Sequence, residues 1–243
     1  GAVSYTFEIL MAVMGTRDRW RTMPWMVTFF GILVIPLGVV SIYFIIIQPI
    51  VIGTWSTPAL IAGLAMLVMI PFALDEVIAM GQFLKWARCQ GKPLIATFFH
   101  GDAVEKGEVD SADALASPAA FWNDATRGIT LPWPLAASMA LGVSLMLTRV
   151  TFGTTGTMAN SDHIAGALVI TISIIATAEV ARALRFLNIV AGVWIVSAPL
   201  FLAGASIAAT LGDIAVGAVI IGLNLRRGKR SSEHYAGWDR YIV

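Results

Sequence analysis

The sequence predicts an all-α protein that crosses a membrane about six or seven times. Composition is the first reason. Of 243 residues, 58% are apolar and 13% are charged, against about 25% charged in soluble domains. Patterning is the second. Residues 27–52, 57–74, 134–147, 164–178, 187–203 and 207–225 are blocks almost free of charge. Several reach or approach the roughly 20 residues needed to cross a bilayer core. They lack the alternation that a membrane β-barrel strand requires. The partition of basic residues is the third. Loops placed alternately on two sides put 15 of the 16 Lys and Arg on one side and only Arg149 on the other. Basic residues are retained in the cytoplasm. The C-terminal tail is therefore expected there, with the turn at 55–59 and the loop 151–163 facing outward. The net charge of +1 hides this asymmetry. Topology and anionic lipid account for the basic clusters, so no nucleic-acid partner is expected.

The elements follow in order. Residues 2–14 form a short apolar block that begins at Gly1 without an initiator Met. Either a processed start or a missing earlier part is therefore expected; the basic start and small-residue cleavage site of a signal peptide are absent. Trp20, Trp25, Trp55, Trp122 and Trp133 fall at block boundaries, as interfacial aromatics do. Pro24, Pro49, Pro58, Pro132 and Pro134 fall near helix ends, where a missing N–H costs least. Pro36 and Pro71 lie deeper. Residues 90–130 are polar, with an acidic run at Asp102, Glu105, Glu108, Asp110 and Asp113. They read as a solvated cytoplasmic linker, with a surface helix from Ser117-Pro118 that brings Phe121 and Trp122 to the membrane. The resulting division is 1–89, 90–130, 131–228 and a tail at 229–243.

The second half repeats itself. Leu141-Gly142 through Asp162-His163-Ile164-Ala165-Gly166 matches Ala191-Gly192 through Asp213-Ile214-Ala215-Val216-Gly217, about 50 residues on. Gly142, Gly166, Gly192 and Gly217 suit close helix approach, because small residues let backbones touch where lipid supplies no hydrophobic drive. Asp162 and Asp213 fall near outer helix starts, where a carboxylate can cap N–H groups. A proton relay is the alternative, because intramembrane acids are often functional. The framework Gly192, Trp194, Pro199, Gly204, Asp213 and Gly217 resembles the SPW repeat of bacterial membrane proteins. The signature triplet is degenerate as Ala198-Pro199-Leu200 and lost as Thr148-Arg149-Val150. The resemblance implies a four-helix membrane domain in a bacterial inner membrane.

In the first half, GAVSYTFEILMAVMG, RWRTMPW and the run from Leu33 through QPIVIGTWSTPALIAG resemble the vitamin K epoxide reductase-like (VKOR-like) thiol oxidoreductases. The resemblance implies part of a four-helix bundle around a quinone, without the family's first helix. It places the family's Cys-x-x-Cys at Ser56 and Ala59. It also places Tyr5, Trp55, Ser56, Thr57 and Gly63 around a quinone or lipid pocket. A plainer reading makes Tyr5 and Trp55 interfacial aromatics and Ser56 an N-cap for the helix begun at Thr57-Pro58. Asp75 and Glu76 would mark that helix's exit to water.

The thiol chemistry needs two sulfurs, and a serine hydroxyl forms no S–S bond. Cys89 is the sole cysteine, and the histidines are His100, His163 and His234, so neither an intrachain disulfide nor a Cys/His metal centre is expected. The reading is a non-catalytic membrane subunit packed among other transmembrane subunits and lipid. A quinone- or lipid-binding protein is the alternative, with quinone as its cofactor. A thiol oxidoreductase completed by a second chain, and a transporter, are further alternatives.

Overall fold

The computed structural model of the chain describes residues 6–7, 10–11, 19–102, 126, 128–226 and 228. Among these, the regular elements are helical, with one isolated bridge between Ile129 and Ala178. A short turn, α1 (Arg19–Thr22), precedes α2 (Pro24–Ile47). Helix α2 runs into a π-helical turn, Gln48–Ile52, which Gly53 ends at φ +74°. Helix α3 (Thr57–Cys89) returns antiparallel, and α4 (Leu94–His100) folds back against both. Proline opens α2 and α3, where its fixed φ suits the first helical turn. Pro36 and Pro71 sit inside helices that continue past them.

The α2–α3 contact has a seven-residue register. A Cβ on Gly31 would lie 2.6 Å from Val77, one on Gly38 2.5 Å from Ile70, and one on Gly63 2.6 Å from Ile45. Each pair of positions sums to the same number. Each of these three glycines is thus a notch for a branched side chain of the facing helix, an antiparallel form of small-residue packing. Phe30, Val34, Met66, Leu67, Ile70 and Ala73 form the core beside this seam.

The second half consists of α5 (Trp133–Met146), α6 (Thr148–Thr151), α7 (Gly156–Ile175), α8 (Leu187–Ser197) and α9 (Ile207–Leu225). A 3₁₀ segment, Glu179–Phe186, leads into α8, and another, Ala198–Leu200, extends it. Helix α5 pairs with α7, and α8 pairs with α9. The two hairpins meet through α5–α9 and α7–α8, as two copies about a local two-fold axis would. Their core repeats the offset: Leu145 with Ile195, and Val169 with Ile220. So does a buried polar knot. Asn188 Nδ2 donates to Ser173 Oγ at 3.0 Å and to Asn224 Oδ1 at 3.1 Å, while Asn224 Nδ2 donates to Ser138 Oγ at 3.0 Å. Ile170, Ile174 and Ile175 of α7 pack on the first half's core, so the halves share one interior.

Pro24–Ile52, Thr57–Cys89, Gly156–Ile175, Glu179–Leu200 and Ile207–Leu225 are long and apolar enough to cross a membrane. Helix α5 has 14 residues, about 21 Å of helix, and α6 prolongs its path. The chain is a multi-pass helical membrane protein.

Two sequence expectations change at the end that carries Lys85 and Arg88. Glu76 does not mark a water exit. It accepts from Arg19 Nε at 2.9 Å and Nη2 at 2.6 Å, and Asp75 beside it is 4% exposed and lies against Gly128. The cause is length: α3 has 33 residues, about 50 Å, so its second half continues inside the protein. The linker is also not wholly solvated. Asp102 pairs with Lys92 at 2.5 Å, and the N–H groups of Thr130 and Glu179 donate to Thr177 and Gly128 carbonyls at 3.0 and 2.9 Å. Ser117, Pro118, Phe121 and Trp122, where a surface helix is expected, lie outside the described residues; among the described residues of the linker the helix is α4.

Candidate functional site

The end opposite Lys85 gathers the turn before α3 and the loops before α7 and α9. The π-helical turn carries Gln48 inward, where it is 6% exposed. Its Oε1 accepts the Ser56 N–H at 2.9 Å, which fixes the five-residue path from Ile52 into α3. Ser56 is the N-cap residue by position, yet its side chain accepts no hydrogen bond from the helix. Trp55, 43% exposed, sets its indole against the His163 ring at a centroid distance of 5.3 Å and an angle of 66°. His163 is 5% exposed. Its imidazole lies beside the carbonyls of Ile45, Ile46 and Met146, and its Nε2 has no hydrogen-bond partner among the described residues. A π-turn and a helix break both leave carbonyls short of intrahelical donors, which explains why a polar ring settles there.

Of the residues expected around a pocket, Trp55, Ser56 and Thr57 are neighbours at the exposed turn. Gly63 is buried two turns deeper, and the Ile45 side chain fills the space beside it. Tyr5 lies outside the described residues. Ser56 is exposed and Ala59 half-buried. Cys89 is exposed at the far end of α3, 30 residues from Ala59 and therefore about 45 Å away.

Chain 132–227 closes on its glycines. A Cβ on Gly142 would lie 2.8 Å from the Gly166 carbonyl oxygen, and one on Gly192 would lie 2.9 Å from that of Gly217. The four predicted packing glycines thus meet one another in two equivalent crossings within this chain.

Capping by Asp162 and Asp213 is not what the helices show. The N-cap residues are Thr155 and Ser206. Ser206 Oγ accepts the Ala209 N–H at 3.1 Å, and the Ala203 carbonyl accepts the Met158 N–H at 3.3 Å. Both aspartates lie in the second turn, 2% exposed, six residues past the helix starts at Gly156 and Ile207. Asp162 accepts the Thr148 hydroxyl at 2.8 Å. Ala198 holds the equivalent place in the second copy, and Asp213 Oδ2 has no partner among the described residues. Ala198→Ser should supply the missing donor. A thermal-shift titration in detergent is expected to show stabilisation of about 1 kcal/mol, and a loss of stability would count against this pairing.

Residues 1–74 match the model of the vitamin K epoxide reductase family. Residues 132–227 match that of the SPW repeat domain. No curated protein and no solved structure matches the chain. The VKOR match covers α2 and ends inside α3, and it includes the Trp55 turn. The SPW match covers both hairpins. The Trp55–His163 contact therefore joins a turn within the segment that matches the VKOR model to a helix within the segment that matches the SPW model. Nothing in the sequence paired these residues, since they are 108 positions apart and the contact exists only once α7 packs on α2 and α3. Gln48 was overlooked too, although a lone amide in an otherwise apolar run was a usable signal.

Proposed function

We propose that this chain is a non-catalytic subunit of a larger membrane complex, with its VKOR segment and SPW repeat serving as helix-packing surfaces. Ser56 and Ala59 at the VKOR redox positions carry the reading, together with the distance to the only cysteine. A two-electron thiol couple needs two sulfurs within bonding reach, and this turn offers none. The test is purification in mild detergent followed by native mass measurement and a density map. Other membrane polypeptides at fixed stoichiometry are expected, with one transmembrane helix along the exposed face of residues 57–69. A monomer with only disordered lipid on that face would overturn the proposal.

A second reading, a quinone- or lipid-binding protein, is supported by the unpartnered His163 Nε2 beside the exposed Trp55 ring. A short-chain quinone should then raise the melting temperature, and His163→Leu should abolish the rise.

We place the chain in a bacterial inner membrane, with its tail in the cytoplasm, on the charge partition. On a Cys89→Ala background, an impermeant thiol reagent added outside should modify Thr155→Cys and spare Ser231→Cys. The reverse pattern would invert the topology.

A further inference from the structure

Helix α4 is inside out for a helix that meets water. Its one buried residue is polar, Thr97, at 6% exposure. Ile95 and Phe99, one turn apart on the opposite side, are 77% and 56% exposed, and Leu94 and Ala96 are exposed beside them. A helix on an aqueous surface turns its apolar stripe inward.

The inversion is held at both ends. The chain enters through Lys92, whose N–H donates to the Ala87 carbonyl at 3.0 Å. It leaves through Gly101 at φ +70°, where an added Cβ would strike the Thr22 carbonyl. The Asp102 N–H then donates to the Arg21 carbonyl at 3.2 Å, and its carboxylate accepts from Lys92 Nζ at 2.5 Å. Lys92 and Arg21 both lie against the Trp86 ring, 5.2 and 5.9 Å from its centroid. With both ends fixed, α4 is not free to roll Ile95 and Phe99 inward.

Depth is read from α2. No charged residue falls between Pro24 and Ile52, a run of 29 residues, or about 43 Å of helix. A bilayer with its headgroup layers is about 40–45 Å thick. Gly101 closes α4 against Thr22, two residues before that run begins, which sets α4 at headgroup level. Trp86 there is 40% exposed. Lys85 and Arg88 are exposed on the last turns of α3, and no ion pair or hydrogen bond engages either side chain among the described residues. From Lys85 to Asp102 the chain sets Lys85, Arg88 and Lys92 against Asp102 as the single carboxylate. Apolar side chains flanked by excess cations match the boundary between acyl chains and anionic headgroups.

We propose that α4 and the end of α3 form an anionic-phospholipid site, with Ile95 and Phe99 in the acyl boundary and Lys85 and Arg88 on the headgroup phosphates. The leaflet is the cytoplasmic one on the charge partition. The site is independent of the subunit reading, whose partner helix is expected along residues 57–69, at the other end of α3.

Two measurements on the full chain in lipid nanodiscs test this. On a Cys89→Ala background, a nitroxide attached at Ile95→Cys or Phe99→Cys should be relaxed by oxygen and shielded from a water-soluble nickel chelate. Relaxation by the chelate would put this face in water and overturn the proposal. Shielding from both would mean that polypeptide covers it, and would overturn the proposal too. In discs of equal parts phosphatidylglycerol and phosphatidylcholine, spin-labelled phosphatidylglycerol should associate more strongly than spin-labelled phosphatidylcholine. Lys85→Gln/Arg88→Gln should weaken that preference, by up to about fivefold per charge removed. No preference in the native chain, or an unchanged one in the double variant, would overturn the headgroup assignment. The nitroxide measurement keeps both charges, so it decides even if the double variant fails to fold.

Discussion

Replacing Ser56 and Ala59 together by cysteine should create a disulfide where the native chain has none. The first residue is the N-cap of α3 and the second lies in its first turn. Residues at that spacing bring their Cα atoms to about 5–6 Å, inside the range a disulfide accepts. The Gln48 Oε1 bond to the Ser56 N–H involves only backbone at residue 56, so the substitution leaves the turn's anchor in place. The helix N-terminus would also favour the thiolate. The native chain should fail to oxidise a dithiol in the presence of a quinone, and thiol trapping should detect the new bond in the double variant. Robust dithiol oxidation by the native chain would refute the redox-inactive reading outright.

The second large effect concerns the glycine crossings, and its sign depends on position. Gly166→Ala should destabilise the repeat by about 1–3 kcal/mol, the usual cost of overpacking. The added methyl meets the Gly142 carbonyl, which is backbone and cannot swing aside, as well as Met146 and Leu145 side chains at 3.0 and 3.1 Å. Gly217→Ala should do the same against Gly192 and Val196. Gly222 supplies the control. It is helical and exposed, with nothing near its missing Cβ, so Gly222→Ala should stabilise by about 0.5–1 kcal/mol through helix propensity. Unfolding midpoints in one detergent check all three. Equal effects at Gly166 and Gly222 would mean that close approach is not what the glycines provide.

The spans were legible because block length and charge partition are local quantities. The repeat was legible because it recurs at a nearly fixed offset. The glycine crossings needed only that offset and the chemistry of close packing. The aspartates misled because capping was inferred from their nearness to the outer helix starts, whereas α7 opens at Gly156 and α9 at Ile207, six residues before each aspartate. Asp75 and Glu76 misled for a related reason. Charge was equated with solvent, yet the length of α3 carries both residues past Gly128 and Arg19 before the helix ends. His163 was not legible as a site residue, because its environment is assembled from the ends of α2 and α5.

Each repeat copy is a hairpin that leaves and re-enters at the same end. Its parity is even, which makes the unit free to multiply. Tandem duplication of a two-crossing unit does not invert the segments C-terminal to it, so a tail keeps its side whether the chain holds one copy, two or three. An odd unit would have produced inverted copies, and then the acquisition of a second copy would have moved every later basic residue to the wrong face. Here the two copies could drift apart one side chain at a time, as at Thr148 and Ala198, while their shared orientation kept both aspartates at the same depth.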